Sequence, residues 1–364
     1  MGLKCGILGL PNVGKSTLFN SISNNKVDAK NFPFCTIDPN FGIVEVPDSR
    51  LDTLSKLVNP ESLVPTTIEF ADIAGLVKGA SKGEGLGNKF LSNLKEVDAL
   101  IHVIRCFEDD NITHVNGKVD PLYDKEIIDY ELLLKDLETI NKQIEKYKKN
   151  SKSGDKETIS NLQTLINCEK QLKNNVAIRN IDLSKEDKYF IKAFNLITSK
   201  PIIYVANVNE DFIVKDNDYI NNLRECVKNE GFELIKISAS IEEQISQMEE
   251  EDQNIFLNEY GLKESGLDKL IKASYSLLGL ITFFTAGPKE VKAWTIKNGS
   301  KAPQGAGKIH SDFERGFIKA EVIKYDDYIK YKSELNCKEN GKINLEGKDY
   351  VIDDGDIIHF KFNV

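Results

Sequence analysis

A glycine-framed segment near the N terminus carries the residue types that can hold a polyphosphate chain. Residues 9–17 read Gly-Leu-Pro-Asn-Val-Gly-Lys-Ser-Thr and fit the pattern G-x-x-x-x-G-K-S/T. Gly9 and Gly14 let the backbone turn so that successive N–H groups point at phosphate oxygens. Lys15 would reach the β- and γ-phosphates, and the Ser16 hydroxyl would bind Mg²⁺. The spacing therefore predicts a site for a nucleoside triphosphate.

The segments on either side of this loop have the order that a phosphate site requires. Leu3 to Leu8 is a short apolar run typical of a buried strand, and Ser16 to Ile22 can begin a helix. The helix N terminus would add the positive end of its dipole to the loop amides. A chance glycine-rich turn is the alternative, and the strand–loop–helix order argues against it.

Two later segments are expected to complete the Mg²⁺ site. Residues 31–40 have two prolines and no periodicity, and the Thr36 hydroxyl would bind Mg²⁺ from a first switch loop. A proline-rich surface turn is the alternative for this segment. The apolar strand Thr66 to Ala71 is followed by Asp72, which would hold Mg²⁺ through water, while the Gly75 N–H would sense the γ-phosphate.

The residue after Gly75 limits the hydrolysis chemistry. Ras-type enzymes have a water-orienting glutamine there, whereas this chain has Leu76, which cannot orient water. We therefore take Lys15, Thr36 and Gly75 as the catalytic residues and expect slow turnover without a partner or ion. Arg105 is a candidate arginine finger within the chain, and a salt bridge at the end of its strand is the alternative.

The residues predicted to contact the base favour adenine. Residues 207–210 read Asn-Val-Asn-Glu, where a guanine-specific protein has Asn-Lys-x-Asp and its aspartate accepts from two guanine donors. Val208 replaces the lysine, and Glu210 is one methylene longer than aspartate, so the guanine clamp is lost. The Asn207 amide and a carbonyl near Val208 would instead serve adenine N7 and N6. A conventional GTPase remains the alternative if Glu210 can act as the aspartate does.

A second base-contacting loop is expected at Ser238-Ala239-Ser240, after the strand Glu233 to Ile237, with Ser238 as its contact residue. The complete predicted nucleotide-binding set comprises Asn12, Val13, Gly14, Lys15, Ser16, Thr17, Asn207, Val208, Glu210 and Ser238. Ser16, Thr36 and Asp72 are the predicted metal ligands.

Composition excludes several classes of protein. A length of 364 residues predicts two or three domains, and the net charge of −9 argues against a general coating of nucleic acid. The six cysteines have no C-x-x-C spacing, so neither zinc nor a disulfide framework is indicated. The longest apolar run, Leu277 to Ala286, is too short to span a bilayer, and no signal peptide precedes the first strand. We expect a cytoplasmic protein.

Three further stretches are predicted from their patterns. Leu133, Leu137, Ile140, Ile144 and Tyr147 form a coiled-coil seam, and Leu162, Ile166, Leu172 and Val176 form a returning helix. The stretch from 131 to 200 has 14 Lys and Arg against 10 Asp and Glu, which suits an arm for ribosomal RNA or a protein partner; a solvated coiled coil is the alternative. Ile241 to Asp252, with six acids, is predicted as an exposed helix, and two strands joined at Gly287-Pro288 begin a small α+β module.

These motifs together resemble the YchF subfamily of Obg-like ATPases over essentially the whole chain. The resemblance rests on residues 9–17, 31–40, 72–81 and 207–210 and on Gly-Lys-Ile-His-Ser-Asp-Phe-Glu-Arg-Gly-Phe at 307–317. It implies an α/β fold with a Ras-like P-loop NTPase domain at 1–125 and 200–280. It further implies an inserted antiparallel coiled-coil hairpin at 126–199 and a C-terminal TGS domain of β-grasp type at 281–364.

The resemblance also implies a function. It implies binding and hydrolysis of ATP in preference to GTP, Mg²⁺ at the phosphates, and association with the large ribosomal subunit or its RNA. An asparagine placed like Asn12 helps related enzymes to hold K⁺, so K⁺ stimulation is a further expectation. We expect a monomeric molecular switch with no DNA specificity. The alternative is a ribosome- or RNA-binding adaptor in which ATP is structural and hydrolysis incidental.

Overall fold

The computed structural model describes residues 3–24, 41–73, 93–151 and 155–363. Thr36, Gly75 and Leu76 lie outside the described residues. Two compact units are present, one formed by Met1–Ile43 with Glu69–Lys269 and the other by Val44–Ile68 with Leu270–Val364. None of the described helices combines the length and the apolar character needed to cross a bilayer.

The strands of the described residues are β1 (Lys4–Leu8), β2 (Phe41–Glu45), β3 (Ser62–Val64), β4 (Thr67–Asp72), β5 (Ala99–Arg105), β6 (Ile202–Asn207), β7 (Leu234–Ile237), β8 (Leu280–Ala286), β9 (Glu290–Lys297), β10 (Phe317–Ile323), β11 (Asn344–Glu346) and β12 (Ile357–Phe362). The α-helices are α1 (Lys15–Asn24), α2 (Ser49–Val58), α3 (Pro121–Asn150), α4 (Lys156–Lys173), α5 (Lys185–Lys192), α6 (Asp218–Asn229), α7 (Ala239–Ile245), α8 (Glu250–Glu259), α9 (Gly266–Leu277), α10 (Ala302–Ile309), α11 (Ser311–Arg315), α12 (Tyr325–Tyr331) and α13 (Glu334–Glu339). Single 3₁₀ turns lie at Ile178–Asn180, Ile197–Ser199 and Glu210–Phe212.

A sheet of strand order β2-β4-β1-β5-β6-β7 forms the core of the first unit. The pairs β1–β4, β1–β5, β5–β6 and β6–β7 are all parallel. Every residue of β5 and β6 is buried, as expected for parallel strands covered on both faces. Parallel strands end at the same edge of a sheet, so the residues that follow β1, β4, β5 and β6 are brought together there. This edge carries the site.

A long helical pair extends the first unit between β5 and β6. α3 and α4 pack against each other around Leu133, Ile140 and Ile144, as the seam predicts. Ile166 lies in the returning helix, but its predicted place on the packed face of that helix is wrong, because its side chain is 44% exposed. Leu165 fills that place in the cluster, together with Cys168 and Leu172.

The stretch Ile241 to Asp252 is not a single exposed helix, and that prediction is wrong. α7 ends at Ile245 and α8 begins at Glu250. Ile241 and Ile245, four residues apart, are both buried, because one face of α7 packs against α1. Glu242 is also buried, and its carboxylate accepts the Gly266 N–H at 2.8 Å.

The second unit is built on a mixed sheet of order β11-β10-β12-β8-β9-β3. β8 and β9 form the predicted antiparallel hairpin, which is closed by the Gly287 N–H and the Glu290 carbonyl oxygen at 3.0 Å. β3 pairs in parallel with β9, and α2 packs its Leu51 and Leu54 against the same core. Residues 44–68, which the predicted boundaries assign to the nucleotide domain, therefore contribute to this unit. The domain boundaries stay a prediction.

Candidate functional site

The phosphate loop follows β1 and depends on the absence of a side chain at Gly14. Gly14 has φ +95°, and a Cβ there would lie 2.1 Å from Asn207 Nδ2. Asn12, in the same loop, has φ 61° and donates from Nδ2 to the Thr113 carbonyl oxygen at 3.1 Å. The loop is thus fitted closely against the segments that follow β5 and β6.

Lys15 is the first residue of α1 and is only 7% exposed. Its Nζ donates to the Leu10 carbonyl oxygen at 2.5 Å, so the loop curls around the ammonium group. Burial lowers the pKa of Lys15 to about 8, and the nearby negative charge of Asp72 opposes that change. The ammonium group therefore lies in a poorly hydrated place, where an anionic ligand would stabilise it.

The described residues that were predicted to hold a metal carry the oxygen donors that Mg²⁺ prefers. Asp72, the last residue of β4, is 6% exposed and close enough to Lys15 to affect its pKa. The Ser16 and Thr17 side chains line the cavity described below. Hydroxyl and carboxylate oxygens are hard donors that suit this cation, so the residues present fit it.

Asn207 joins the phosphate loop to the loop after β7. Its Nδ2 donates to the Val13 carbonyl oxygen at 2.9 Å, and its Oδ1 accepts from the Ala239 N–H at 3.0 Å. The side chain is 4% exposed. The one amide thereby sets the position of the loop after β7 relative to the phosphate loop.

These segments surround a cavity of about 440 Å³, within the range of small-molecule sites. Its lining residues are Asn12, Gly14, Lys15, Ser16, Thr17, Phe107, Asp109, Ile112, Asn207, Val208, Asn209, Ala239 and Ser240. Seven residues of the predicted nucleotide-binding set are among them. Val13 is buried beside the cavity and contributes the carbonyl that Asn207 holds.

Two predicted base contacts do not line the cavity. Ser238 is fully buried at the N-cap of α7, with its Oγ 3.1 Å from Ser240 Oγ, so the next two residues face the cavity instead. Glu210 is exposed, and its carboxylate accepts from Gln244 Nε2 at 3.1 Å and from the Tyr260 hydroxyl at 3.5 Å. A carboxylate held in that way is turned to other partners.

The cavity wall that follows β5 was not predicted from the sequence. Phe107, Asp109 and Ile112 all line the cavity. A signal was available in the sequence, because Arg105 is predicted at the end of a strand. In the structure that strand, β5, lies between β1 and β6 in the parallel sheet, so the loop that follows it reaches the same edge. The alternative of a salt bridge at Arg105 is wrong: in the described structure its guanidinium donates to the carbonyl oxygens of that loop rather than to a carboxylate. The arginine-finger hypothesis stays a prediction.

A buried pair anchors the far end of the same loop. His114 Nε2 lies 2.8 Å from Asp124 Oδ2, and both side chains are nearly inaccessible to solvent. Asp124 lies in the first turn of α3. Because the neighbouring Thr113 carbonyl accepts from Asn12, this pair connects the helical pair to the phosphate loop through a single residue.

Comparison with known proteins identifies the family. Residues 4–149 match the family model described as a 50S ribosome-binding GTPase, and residues 280–363 match the C-terminal model of YchF-type GTPases, described as a protein of unknown function. The chain is 54% identical to the ribosome-binding ATPase YchF of Bacillus subtilis and 52% identical to that of Haemophilus influenzae, with 100% of both chains covered in each case.

A solved structure supports the same family assignment. The Schizosaccharomyces pombe YchF GTPase superposes with a TM-score of 0.92 at 40% identity, covering 99% of this chain and 98% of that one. The predicted resemblance and the predicted α/β fold with a P-loop domain are therefore confirmed. On this full-length identity and structural match, the chain belongs to the YchF family.

Proposed function

We propose that this protein binds and hydrolyses ATP and uses the nucleotide state to regulate its association with the ribosome. The observation that carries the proposal is the cavity itself. It has a buried ammonium group at one end, at Lys15, and a side-chain amide at Asn207 that links the phosphate loop to the base loop. The relatives from Bacillus subtilis and Haemophilus influenzae are named ribosome-binding ATPases.

At the phosphate end, the chain supplies fixed positive charge and backbone donors. Lys15 would exchange its bond to the Leu10 carbonyl for the β- and γ-phosphate oxygens, where its ammonium group gains an anionic partner. The loop amides would stabilise the negative charge that develops on the transferred phosphoryl group. Ser16 and Asp72 would hold Mg²⁺, with Thr36 from outside the described residues. The cation, when bound, neutralises charge on the β- and γ-oxygens.

At the base end, the cavity suits adenine better than guanine. The carboxylate of Glu210 is occupied by Gln244 and Tyr260, so no acidic side chain faces the two guanine donors from that position. Val208, Ala239 and the ring of Phe107 provide apolar surface for a purine. Asn207 retains one unused amide hydrogen, which can donate to adenine N7.

The proposed rate of intrinsic ATP hydrolysis depends on the residue after Gly75. Leu76 has no group that can orient water, and Arg105 is committed to backbone carbonyls. We therefore propose slow intrinsic hydrolysis, with Gly75 and Thr36 reporting the γ-phosphate to the switch segments. Because Asn12 is the residue proposed to help hold K⁺, turnover should fall when Na⁺ replaces K⁺.

The helical pair and the second unit are the proposed ribosome-binding parts. The stretch from 131 to 200 has an excess of four basic residues in a chain of net charge −9, which suits an RNA-rich partner of the large subunit. We propose that 126–199 is the inserted coiled-coil arm and 281–364 the TGS domain, on a nucleotide domain at 1–125 and 200–280. The protein is proposed to act as a monomer in the cytoplasm.

A Lys15→Ala variant tests this function. We expect hydrolysis to be lost, and ribosome co-sedimentation to stop responding to ATP. Lys228→Ala, an exposed lysine on α6, is the control and should behave as the parent. Ribosome binding by the parent that is the same with ATP, ADP and no nucleotide would instead favour the adaptor with structural ATP.

A further inference from the structure

Arg105 is the largest fully buried side chain of the described structure, with 1% of its surface exposed. Its Nε donates to the Phe107 carbonyl oxygen at 3.0 Å, its Nη1 to Ile112 at 2.9 Å and its Nη2 to Asp109 at 3.2 Å. All three acceptors belong to the loop after β5. One guanidinium group therefore donates hydrogen bonds to the backbone of that loop at three residues.

Other hydrogen bonds reach this loop at single points: the Asn111 N–H donates to Asp109 Oδ1 at 2.8 Å, the Tyr219 hydroxyl donates to Glu108 Oε1 at 2.7 Å, and the His114–Asp124 pair holds the far end. Residues 106–120 contain neither helix nor strand, and residues 110–113 are exposed. The backbone bond within its centre is from the Ile112 N–H to the Asp109 carbonyl oxygen at 3.2 Å, the same oxygen that Arg105 Nη2 reaches. A planar guanidinium presents its donors in a fixed fork, which a lysine ammonium cannot reproduce.

The residues whose carbonyls Arg105 holds are the residues that line the cavity. Phe107, Asp109 and Ile112 form that wall, and the guanidinium carbon also lies 4.6 Å from the centre of the Phe107 ring, in a cation–π contact. The next carbonyl along the loop, at Thr113, accepts from Asn12. One buried side chain that does not itself line the cavity therefore bonds the backbone of all three wall residues.

We propose that Arg105 is a positioning residue for nucleotide recognition: it holds the wall formed by Phe107, Asp109 and Ile112 in place for the nucleoside part of the ligand. This inference rests on the proposed ATP site. It differs from an arginine-finger role, because Arg105 acts on binding of the nucleoside through the loop and does not reach the transferred phosphoryl group.

The test compares ATP with inorganic tripolyphosphate, which has the phosphates but no nucleoside. In Arg105→Lys and Arg105→Gln we expect the Kd for Mg²⁺-ATP to rise at least tenfold. The Kd for Mg²⁺-tripolyphosphate should stay within twofold of the parent value, and kcat at saturating ATP within threefold.

The matched control is Arg179→Lys. Arg179 is a half-buried arginine whose Nε donates to the Thr198 carbonyl oxygen at 2.8 Å, and it is not among the residues that line the cavity. Its replacement should lower the melting temperature while leaving the ratio of the two Kd values unchanged.

Two outcomes would overturn the proposal. A kcat at least 100-fold lower with an unchanged Kd for ATP would make Arg105 a catalytic finger. An equal rise in the Kd values for ATP and for tripolyphosphate would make its role purely structural. If the parent bound ATP no better than tripolyphosphate, the proposed function would fail first, independently of any variant.

A measurement on the unsubstituted protein tests the proposal even if the Arg105 variants do not fold. Backbone order parameters of the amides at 107–113 in the nucleotide-free protein should be close to about 0.85, the value of rigid backbone, because Arg105 orders the loop before the ligand arrives. Values below about 0.6 would show a flexible loop and contradict the assignment.

Discussion

The side-chain amide of Asn207 donates to the carbonyl oxygen of Val13 at 2.9 Å, although the two residues are 194 positions apart in the chain. The same side chain accepts from the Ala239 N–H. Two of the four segments that line the cavity, those after β1 and β7, are therefore bonded to one residue at the end of β6. The relative position of these two segments therefore depends on the Asn207 side chain.

Replacing Asn207 with aspartate should weaken both folding and nucleotide binding. The carboxylate cannot donate to the Val13 carbonyl, and two oxygens would be left facing each other in a buried place. A loss of about 1–3 kcal/mol in the free energy of unfolding is expected for such an unsatisfied group. The Kd for ATP, measured by isothermal titration, should rise at least tenfold.

Asn336→Asp is the control for the change in charge. Asn336 Nδ2 also donates to a carbonyl oxygen, that of Tyr331. Unlike Asn207, Asn336 is exposed and lies in the second unit. The Asn336→Asp variant should bind ATP as the parent does. An Asn207→Asp variant with parental affinity would remove Asn207 from the site.

Gly14→Ala should prevent nucleotide binding, because its new methyl group would displace Asn207. Gly117→Ala is a close match for backbone strain, since Gly117 has φ +74° and a Cβ there would meet nothing within 4 Å. Each substitution carries a left-handed strain of about 1–2 kcal/mol. Only Gly14→Ala adds a clash at 2.1 Å with Asn207 Nδ2.

Thermal melting and ATP titration separate the two effects. Both variants should melt below the parent, and only Gly14→Ala should lose the stabilisation that Mg²⁺-ATP confers on the parent. Equal ATP responses in the two variants would show that strain alone, and not the contact with Asn207, explains the effect.

Replacing Glu210 with alanine should leave ATP affinity within twofold of the parent. Its carboxylate contacts Gln244 and Tyr260 and does not line the cavity. Titration of the variant with ATP and with GTP checks this. If the Glu210→Ala variant bound ATP at least tenfold more weakly than the parent, Glu210 would have to turn into the cavity when nucleotide binds.

The parallel sheet and the phosphate loop could be predicted because their signals are local. Apolar runs mark β1, β5 and β6, and the polar residues after them must meet at one edge of the sheet. The position of Asp72 at the end of β4 follows from the same argument. Asn207 was also identified in this way, although its bond to Val13 was not.

The rest depended on contacts between segments distant in sequence. Ser238 and Ser240 are equally plausible as base contacts in the sequence, and only the start of α7 decides which of them faces the cavity. The wall after β5 has no periodic pattern in the sequence, because it contains neither helix nor strand and three of its carbonyl oxygens accept from the side chain of Arg105. Glu242 lies in an acid-rich stretch that reads as solvated, but its carboxylate binds amides at the start of α9.

Stability should depend on pH through Glu242. Burial raises the pKa of this carboxyl from 4.5 to about 7, with Asp268 raising it further and the Gly266 and Leu267 amides and Lys269 lowering it. Between those pH values the folded protein binds more protons than the unfolded chain, so its free energy of unfolding falls as pH rises through that window. The expected contribution is about 1–3 kcal/mol.

Glu242→Gln removes this contribution and keeps an acceptor for the Gly266 N–H. The variant should match the parent near pH 4.5 and exceed it in stability above pH 7, as measured by urea unfolding across that range. Glu249→Gln, an exposed glutamate before α8, should retain the parental pH profile. A profile of Glu242→Gln that follows the parent would show that the carboxyl is not the titrating group.

The central claim is a nucleotide cavity adapted to adenine, and competition between ATP and GTP for the Mg²⁺-loaded protein tests it most directly. Displacement of a fluorescent ATP analogue gives both Kd values under the same conditions. We predict that ATP binds at least tenfold more tightly than GTP, because Glu210 is held away from the base and Val208 replaces the lysine of the guanine motif. Tighter binding of GTP would contradict this account and make the protein a guanine-nucleotide switch.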